Sequence, residues 1–287
     1  MRQLWFVLAG SLLLASCASS TRPADPTQDE DESVAQEFEQ NEGLDGKSRT
    51  EGSASVTYAR TAAENWKRGE AAFADEDYQA AQKFYAYIRS KFPYSGLAVR
   101  AELRIADCLF ARERYLEAID AYSNFQRLHP THKDVGYAAY RVGASYAAQI
   151  PGDWFFLPAS HEKDQAAIRD AARALRAYVD KFPNDPRHAD GVKLLNDVKR
   201  RLVRHERMVA DFYRRIERPK AYAARLEVIH REYGDVAIDA ELLIEMIEVY
   251  AELGEKQKAQ ARLQELETKF PSAEQLGHAR ELARGGS

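Results

Sequence analysis

Five segments of this chain end alike, with a ring placed directly before a helix breaker: Phe92-Pro93, His129-Pro130, Phe182-Pro183, Tyr233-Gly234 and Phe270-Pro271. Fifteen residues upstream of each breaker stand Tyr78, Tyr115, Ile168, Pro219 and Lys256, the expected segment starts. Three residues in comes a small side chain, Ala81, Ala118, Ala171 or Ala259, with Tyr222 as the exception. Seven in are Tyr85, Tyr122, Leu175, Leu226 and Leu263; ten in are Ile88, Phe125, Tyr178, Ile229 and Leu266. Offsets of 0, 3, 7, 10 and 14 trace one face of an α-helix. A unit that recurs this way predicts a stacked array in which each unit buries its apolar face only against its neighbours. No alternating Val/Ile/Thr segment bounded by turns competes with that reading, so the expected class is all-α.

Each closing helix has a predicted partner before it. In the first unit Trp66, Gly69 and Phe73 precede the turn Asp75-Glu76-Asp77, and Gly69, Ala81, Tyr85 and Pro93 stand at offsets 0, 12, 16 and 24. Ala106, Ala118, Tyr122 and Pro130 repeat those offsets; Ile247, Ala259, Leu263 and Pro271 do so again, with Gly254 marking the turn. Small residues let antiparallel helices approach, a ring fills the space above them, and Pro stops the second helix. The spacings resemble the tetratricopeptide signature. They predict a superhelix of about five helix pairs over residues 58–287, with N-terminal repeats at 58–183 and C-terminal repeats at 184–287.

The breakers are 37, 53, 51 and 37 residues apart, so two intervals carry extra length. The first excess falls near 149–164 and holds Trp154, Phe155, Phe156 and Leu157. Such a loop is costly in water; it packs back onto the array or forms part of a ligand groove. Asp164 reads as the N-cap of the helix that follows. The second excess, between Pro183 and Pro219, continues the stripe Val192, Leu195, Val198, Leu202, Val209, Phe212, Tyr213 without a breaker, predicting one helix over about 187–215.

The N-terminus lies apart from the array. Arg2 precedes the apolar run Leu4 to Leu14, which is too short for a membrane span of about 20 residues and fits a signal peptide over 1–16. Leu14-Ala15-Ser16-Cys17 resembles the bacterial lipobox, in which the Cys is acylated; an ordinary signal peptide cut near Ala18 is the alternative. Acylation at Cys17 anchors the chain in a membrane, and Ala18, in place of Asp, favours by that resemblance the inner leaflet of the outer membrane. Residues 17–57 then read as the lipidated Cys and an acidic tether, with ten acids against three bases over 18–57, a net of −7. Composition this polar predicts disorder. The whole chain sums to −4, leaving about +2 on 58–287, and such a balance argues against nucleic acid. Besides Cys17 the chain has only Cys108, set in the apolar pattern Leu103, Ala106, Leu109, Phe110, which reads as a buried thiol and not a reactive one.

No catalytic, cofactor or metal constellation emerges. His129, His132, His161, His188, His205, His230 and His278 form no metal spacing, and His161-Glu162 lacks a second zincin His. No Gly-rich phosphate loop and no Gly-x-Ser-x-Gly elbow occur. The chain therefore reads as a binding protein and not an enzyme.

One stretch is more specific. His205-Glu206-Arg207-Met208-Val209-Ala210-Asp211-Phe212-Tyr213, followed by Arg225-Leu226-Glu227, resembles the ComL-like family of outer-membrane β-barrel assembly lipoproteins. Lys91-Phe92-Pro93-Tyr94-Ser95 and Arg127-Leu128-His129-Pro130-Thr131-His132 are similar to that family's first two repeat ends, and Phe155-Phe156 falls where it carries an aromatic pair. The resemblance covers roughly 62–272 and the lipobox. The chain departs in its longer, more acidic tether and in Ile216-Glu217-Arg218-Pro219, where the family has an Arg-Gly corner whose Arg falls on Ile216.

What the resemblance implies is a scaffold on the periplasmic face of the outer membrane, with unfolded outer-membrane β-barrel proteins as substrates. Further implied partners are a BamA-like POTRA-bearing β-barrel protein and other assembly lipoproteins. The alternative is another periplasmic tetratricopeptide lipoprotein, a secretin pilotin or a cell-division coordinator. Mapped onto first helices, the implied substrate groove is Trp66, Glu70, Phe73, Arg100, Leu103, Asp107, Phe110, Tyr137 and Tyr140, with Arg100 near a terminal carboxylate. Inter-repeat packing is the competing role for each aromatic. The implied partner contact uses Arg214, Arg215 and Arg218, for which a solvated basic face is the plainer reading.

Overall fold

The structure is a computed structural model describing residues 56–150 and 165–285; Cys17, the tether and the aromatic insertion from Trp154 to Leu157 lie outside them. The described residues form eleven helices and no strand. Five antiparallel pairs follow in order: α1 (Ala62–Ala74) with α2 (Tyr78–Lys91), α3 (Gly96–Ala111) with α4 (Tyr115–Leu128), and α5 (Val135–Ala148) with α6 (Ala166–Lys181). Then come α7 (His188–Arg215) with α8 (Pro219–Ala237) and α9 (Ala240–Glu252) with α10 (Lys256–Lys269); α11 (Leu276–Arg284) closes the array. This is the tetratricopeptide-type solenoid that the periodicity predicts.

The second helices bury the expected stripe. Ala81, Ala118 and Ala171 are fully buried, as are Tyr85, Tyr122 and Leu175 one face-turn on, with Ile88 and Phe125 below. Gly69 shows why the position opposite must be small: a Cβ there would meet the Tyr85 ring at 2.8 Å. Tyr222, the one large residue at the small-residue position, is itself buried, and burial pushes its hydroxyl up to about 12. Cys108 is buried between α2 and α4 neighbours, and the same desolvation pushes its thiol up to about 12, keeping it protonated and unreactive.

Helix starts are capped where short polar side chains allow it. Thr61 accepts from the Glu64 amide, Asp77 from Ala80, Ser95 from Leu97 and Asp239 from Leu242. Asp164, read as a cap, lies outside the described residues; the position before α6 is Gln165, which makes no side-chain cap bond. The Tyr233-Gly234 ending is corrected. Tyr233 leaves helical geometry (φ −127°), but α8 resumes to Ala237, because Gly, unlike Pro, leaves the backbone free to continue. The long helix α7 has 28 residues, about 42 Å at 1.5 Å per residue.

The four turns inside pairs that lie among the described residues share one geometry. Glu76, Glu113, Glu217 and Gly254 all have positive φ (60°, 59°, 54° and 73°), each two residues before a second helix. Amides of Arg114, Arg218 and Glu255 donate to the carbonyls of Leu109, Tyr213 and Tyr250, which closes the preceding helix in the Schellman manner. At Gly254 a methyl would meet nothing within 4 Å, so substitution is opposed by backbone conformation alone. Gly254→Ala is expected to destabilise the fold by about 1 kcal/mol, read as a lowered midpoint in denaturant unfolding.

Candidate functional site: the inner ridge and the corner after the long helix

The first helices α1, α3 and α5 line one side of the N-terminal repeats and carry a clamp that recurs from pair to pair. Tyr85 donates to Glu70 at 2.6 Å, and Arg104 of the next pair donates to the same carboxylate at 2.9 and 3.1 Å. One repeat on, Tyr122 donates to Asp107 at 2.6 Å, and Arg141 of the following pair donates to the Tyr122 hydroxyl at 3.0 Å. Each arginine also stands over the preceding pair's ring, Arg104 at 4.0 Å from the Phe73 centroid and Arg141 at 3.7 Å from Phe110. A stacked guanidinium contributes about 0.5–2 kcal/mol depending on its desolvation. Arg187 extends the row, 4.6 Å from the Tyr137 ring.

Asp107 is the hub. Only 5% exposed, it accepts from Tyr122 and Tyr137 at 2.6 Å each and pairs with Arg104 at 3.1 Å. Burial first, and then the Asp107 charge, push both phenols well above the ordinary tyrosine value, so each remains a donor. Three donors converge on this one carboxylate, which is why it tolerates burial.

This geometry divides the predicted groove residues. Leu103 and Asp107 are corrected: at 7% and 5% exposure they belong to the support beneath the ridge, Leu103 in the core and Asp107 in the hub. Glu70 is held between Tyr85 and Arg104, and Phe73 and Phe110 each have one face covered by an arginine. Tyr137 spends its hydroxyl on Asp107, while Tyr140 packs against Tyr178 at 5.5 Å. Trp66 and Arg100 differ from these. The exposed Arg100 guanidinium stands 4.6 Å over the Trp66 ring, and no carboxylate among the described residues lies within ion-pair distance of it. Arg104, Arg141 and Arg187 escaped prediction, since a lone arginine on a first helix reads as solvated. The available signal is spacing: Arg104 and Arg141 are 37 residues apart, as are Glu70 and Asp107, and Tyr85 and Tyr122.

The specific stretch of α7 and α8 resolves into helix-to-helix contacts. Glu206 pairs with Arg225 at 3.2 Å, Leu226 is fully buried, and Glu227 accepts from Tyr250 at 2.6 Å. Arg207 pairs with Glu245 of α9. At the corner, Phe212 and Ile216 are exposed apolar residues (49% and 46%). Arg214 is engaged with Asp211 at 2.9 Å and lies 5.7 Å from the Tyr222 ring; Arg215 and Arg218 are exposed. Among the described residues no three metal-ligating side chains converge and no helix is long and apolar enough to cross a membrane.

Fold and ridge together define an α-solenoid of the tetratricopeptide class with an aromatic and arginine inner face. More narrowly, the chain belongs to the YfiO family of outer membrane lipoproteins, whose model matches residues 58–276. Among its relatives is the outer membrane protein assembly factor BamD of Neisseria meningitidis serogroup A, 29% identical over 71% of this chain and 77% of the relative. The protein of the same name from Rickettsia prowazekii is 26% identical over 72% of this chain and 79% of its own.

Two outcomes follow. Asp107→Ala leaves Arg104 and two phenols without their shared acceptor and is expected to cost about 3 kcal/mol of unfolding free energy, whereas Tyr137→Phe costs about 1 kcal/mol. In the C-terminal repeats burial would raise the Glu265 carboxyl, but hydrogen bonds from Lys269 (2.8 Å) and His230 (2.7 Å) outweigh it and hold it below its ordinary value. A depressed folded value stabilises above the unfolded value of about 4.3 and loses that contribution as pH falls through the folded one. Acid unfolding monitored by circular dichroism should therefore be shallower below about pH 4 in Glu265→Gln than in the parent.

Proposed function

We propose that this chain is a lipid-anchored scaffold on the periplasmic face of the outer membrane. There it holds unfolded β-barrel proteins and a POTRA-bearing barrel component together during insertion. Its relatives are named outer membrane protein assembly factors, and the family is one of outer membrane lipoproteins. Cys17 in its lipobox supplies the anchor under this reading.

The observation that carries the substrate half is Arg100 on Trp66: an exposed guanidinium, without a carboxylate partner among the described residues, on an aromatic shelf. Together they fit a chain end with a terminal aromatic residue, its carboxylate meeting Arg100 and its ring continuing the row. The clamp beneath holds Phe73 and Phe110 against Arg104 and Arg141, and this row of rings suits the apolar side chains on one face of an extended strand. The partner half rests on Phe212 and Ile216, exposed apolar residues rimmed by Arg215 and Arg218.

The test compares a barrel C-terminal peptide carrying a free carboxylate with the same peptide amidated. The parent should bind the free acid about tenfold more tightly, and Arg100→Glu should abolish that preference while the array stays folded. Equal binding of acid and amide by the parent overturns the substrate assignment. For the partner half, Phe212→Ser with Ile216→Ser should lose the POTRA-bearing protein on co-purification from membranes; recovery of a secretin in place of that protein would reassign the client.

A further inference from the structure

The two edges of the N-terminal repeats differ in charge. One edge is made by turns inside pairs, and its first turn is Asp75-Glu76-Asp77, all exposed. The other edge is made by loops between pairs, where α2 and α4 end and α3 and α5 begin. Its first loop carries Arg89 and Lys91 with no acid between Arg89 and Ser95; its second carries Arg127 and Lys133. All four cations are exposed, and none is in an ion pair among the described residues. Arg127 reaches only the Asn124 amide oxygen. The acids nearby are occupied: Glu102 bonds His129 at 2.9 Å and Asp134 lies 3.7 Å from His132. Tyr94, 89% exposed, projects from the same edge.

The described chain begins against this region. Tyr58 stacks on Tyr87 at 4.1 Å, and Tyr87 lies about one helical turn before Lys91. Ala59 is fixed by paired hydrogen bonds with Asn65, so the first described residues are tied to the outer side of the first pair. Upstream of that point lie residues 18–57, with their net charge of −7. From its exit the segment meets the acidic first turn in one direction, beyond which the next turn is Arg112-Glu113-Arg114, and the basic loop edge in the other. Repulsion by Asp75, Glu76 and Asp77 and attraction by Arg89 and Lys91 select the same direction.

We propose that the acidic N-terminal segment docks in cis along the loop edge of the first two repeats, its carboxylates neutralising Arg89, Lys91, Arg127 and Lys133. Reach permits it. A coil of that length spans about 35 Å, against about 10 Å between neighbouring packed helices. Covalent attachment supplies an effective concentration in the millimolar range, so individually weak exposed pairs act together. Docked this way, the segment shortens the distance between anchor and array. It also covers a basic edge that would otherwise face anionic headgroups. This inference is independent of Arg100, whose role is tested with peptides, and it survives failure of the client assignment.

The experiment uses the full acylated chain in nanodiscs of neutral zwitterionic lipid. A water-soluble carbodiimide joins lysine amines to carboxylates in direct contact, and mass spectrometry maps the links, with isotope-labelled and unlabelled chains mixed to separate links within one chain. Lys91 and Lys133 should link within the chain to acids between Asp25 and Glu51, and those links should vanish at about 1 M salt, where the Debye length is about 3 Å. Replacing Asp29, Glu30, Asp31 and Glu32 by their amides should lower the yield about fivefold and expose Lys91 to acetylation, with the helical signal unchanged. The proposal is overturned if links reach Lys67, Lys193 and Lys258 equally. It is equally overturned if Lys91 and Lys133 stay freely acetylated in neutral nanodiscs and gain protection only with anionic lipid, which would make the membrane the occupant.

Discussion

The N-terminal half of this solenoid depends on a carboxylate that is almost entirely withdrawn from water. Asp107 sits on α3 with donors arriving from three directions: Arg104 on its own helix, Tyr122 on the partner helix and Tyr137 on the next pair. A buried charge is tolerated only when such bonds replace its hydration, so the three groups have essentially one mutual arrangement. That arrangement sets the angle between successive pairs more narrowly than apolar contact alone can, because hydrophobic burial is not directional. At Glu70, which is far more exposed than Asp107, the matching bonds from Tyr85 and Arg104 link the first pair to the second with a looser constraint. Arginines held over Phe73 and Phe110 are by-products of that geometry, and they give the inner face its character.

What could be read from the sequence was whatever one helix decides by itself. The stripe through Tyr85, Tyr122, Leu175 and Leu226 follows from the helical period, and so do the long helix α7 and the inert Cys108. The paired turns were only half legible. Gly254 announces positive φ, but Glu76, Glu113 and Glu217 adopt it without any residue-type signal, held there by the bonds that close the preceding helix. The ridge was least legible, because its contacts join residues such as Glu70 and Arg104, which share no helix. Assigning Leu103 and Asp107 to an open groove followed from their place on a first helix; Leu103 instead joins the apolar core, and Asp107 is covered by Tyr122 of α4 and Tyr137 of α5.

The two halves are stabilised differently. In the C-terminal pairs the ionic contacts are spread over several pairs and not gathered on one carboxylate: the buried Lys199 bonds Asp235, Glu206 pairs with Arg225 and Arg207 with Glu245, and His230, Glu265, Arg262 and Lys269 form a cluster. These contacts surround an apolar core running from Ala210 through Leu242, Leu243, Met246 and Ile247 to Ala279.

Helix α7 crosses the boundary between these halves without a break. Its first half packs Leu195, Val198 and Leu202 against α6, and its second half gives Ala210 to the C-terminal core. Mechanically it is one rod shared by the third repeat and the C-terminal core, with the exposed Phe212 and Ile216 at its C-terminal end. A tilt of about 5° at Leu195 displaces Arg215 by roughly 2.6 Å over the intervening rise of about 30 Å. Torque applied at the corner is thereby delivered to the repeat that adjoins the ridge.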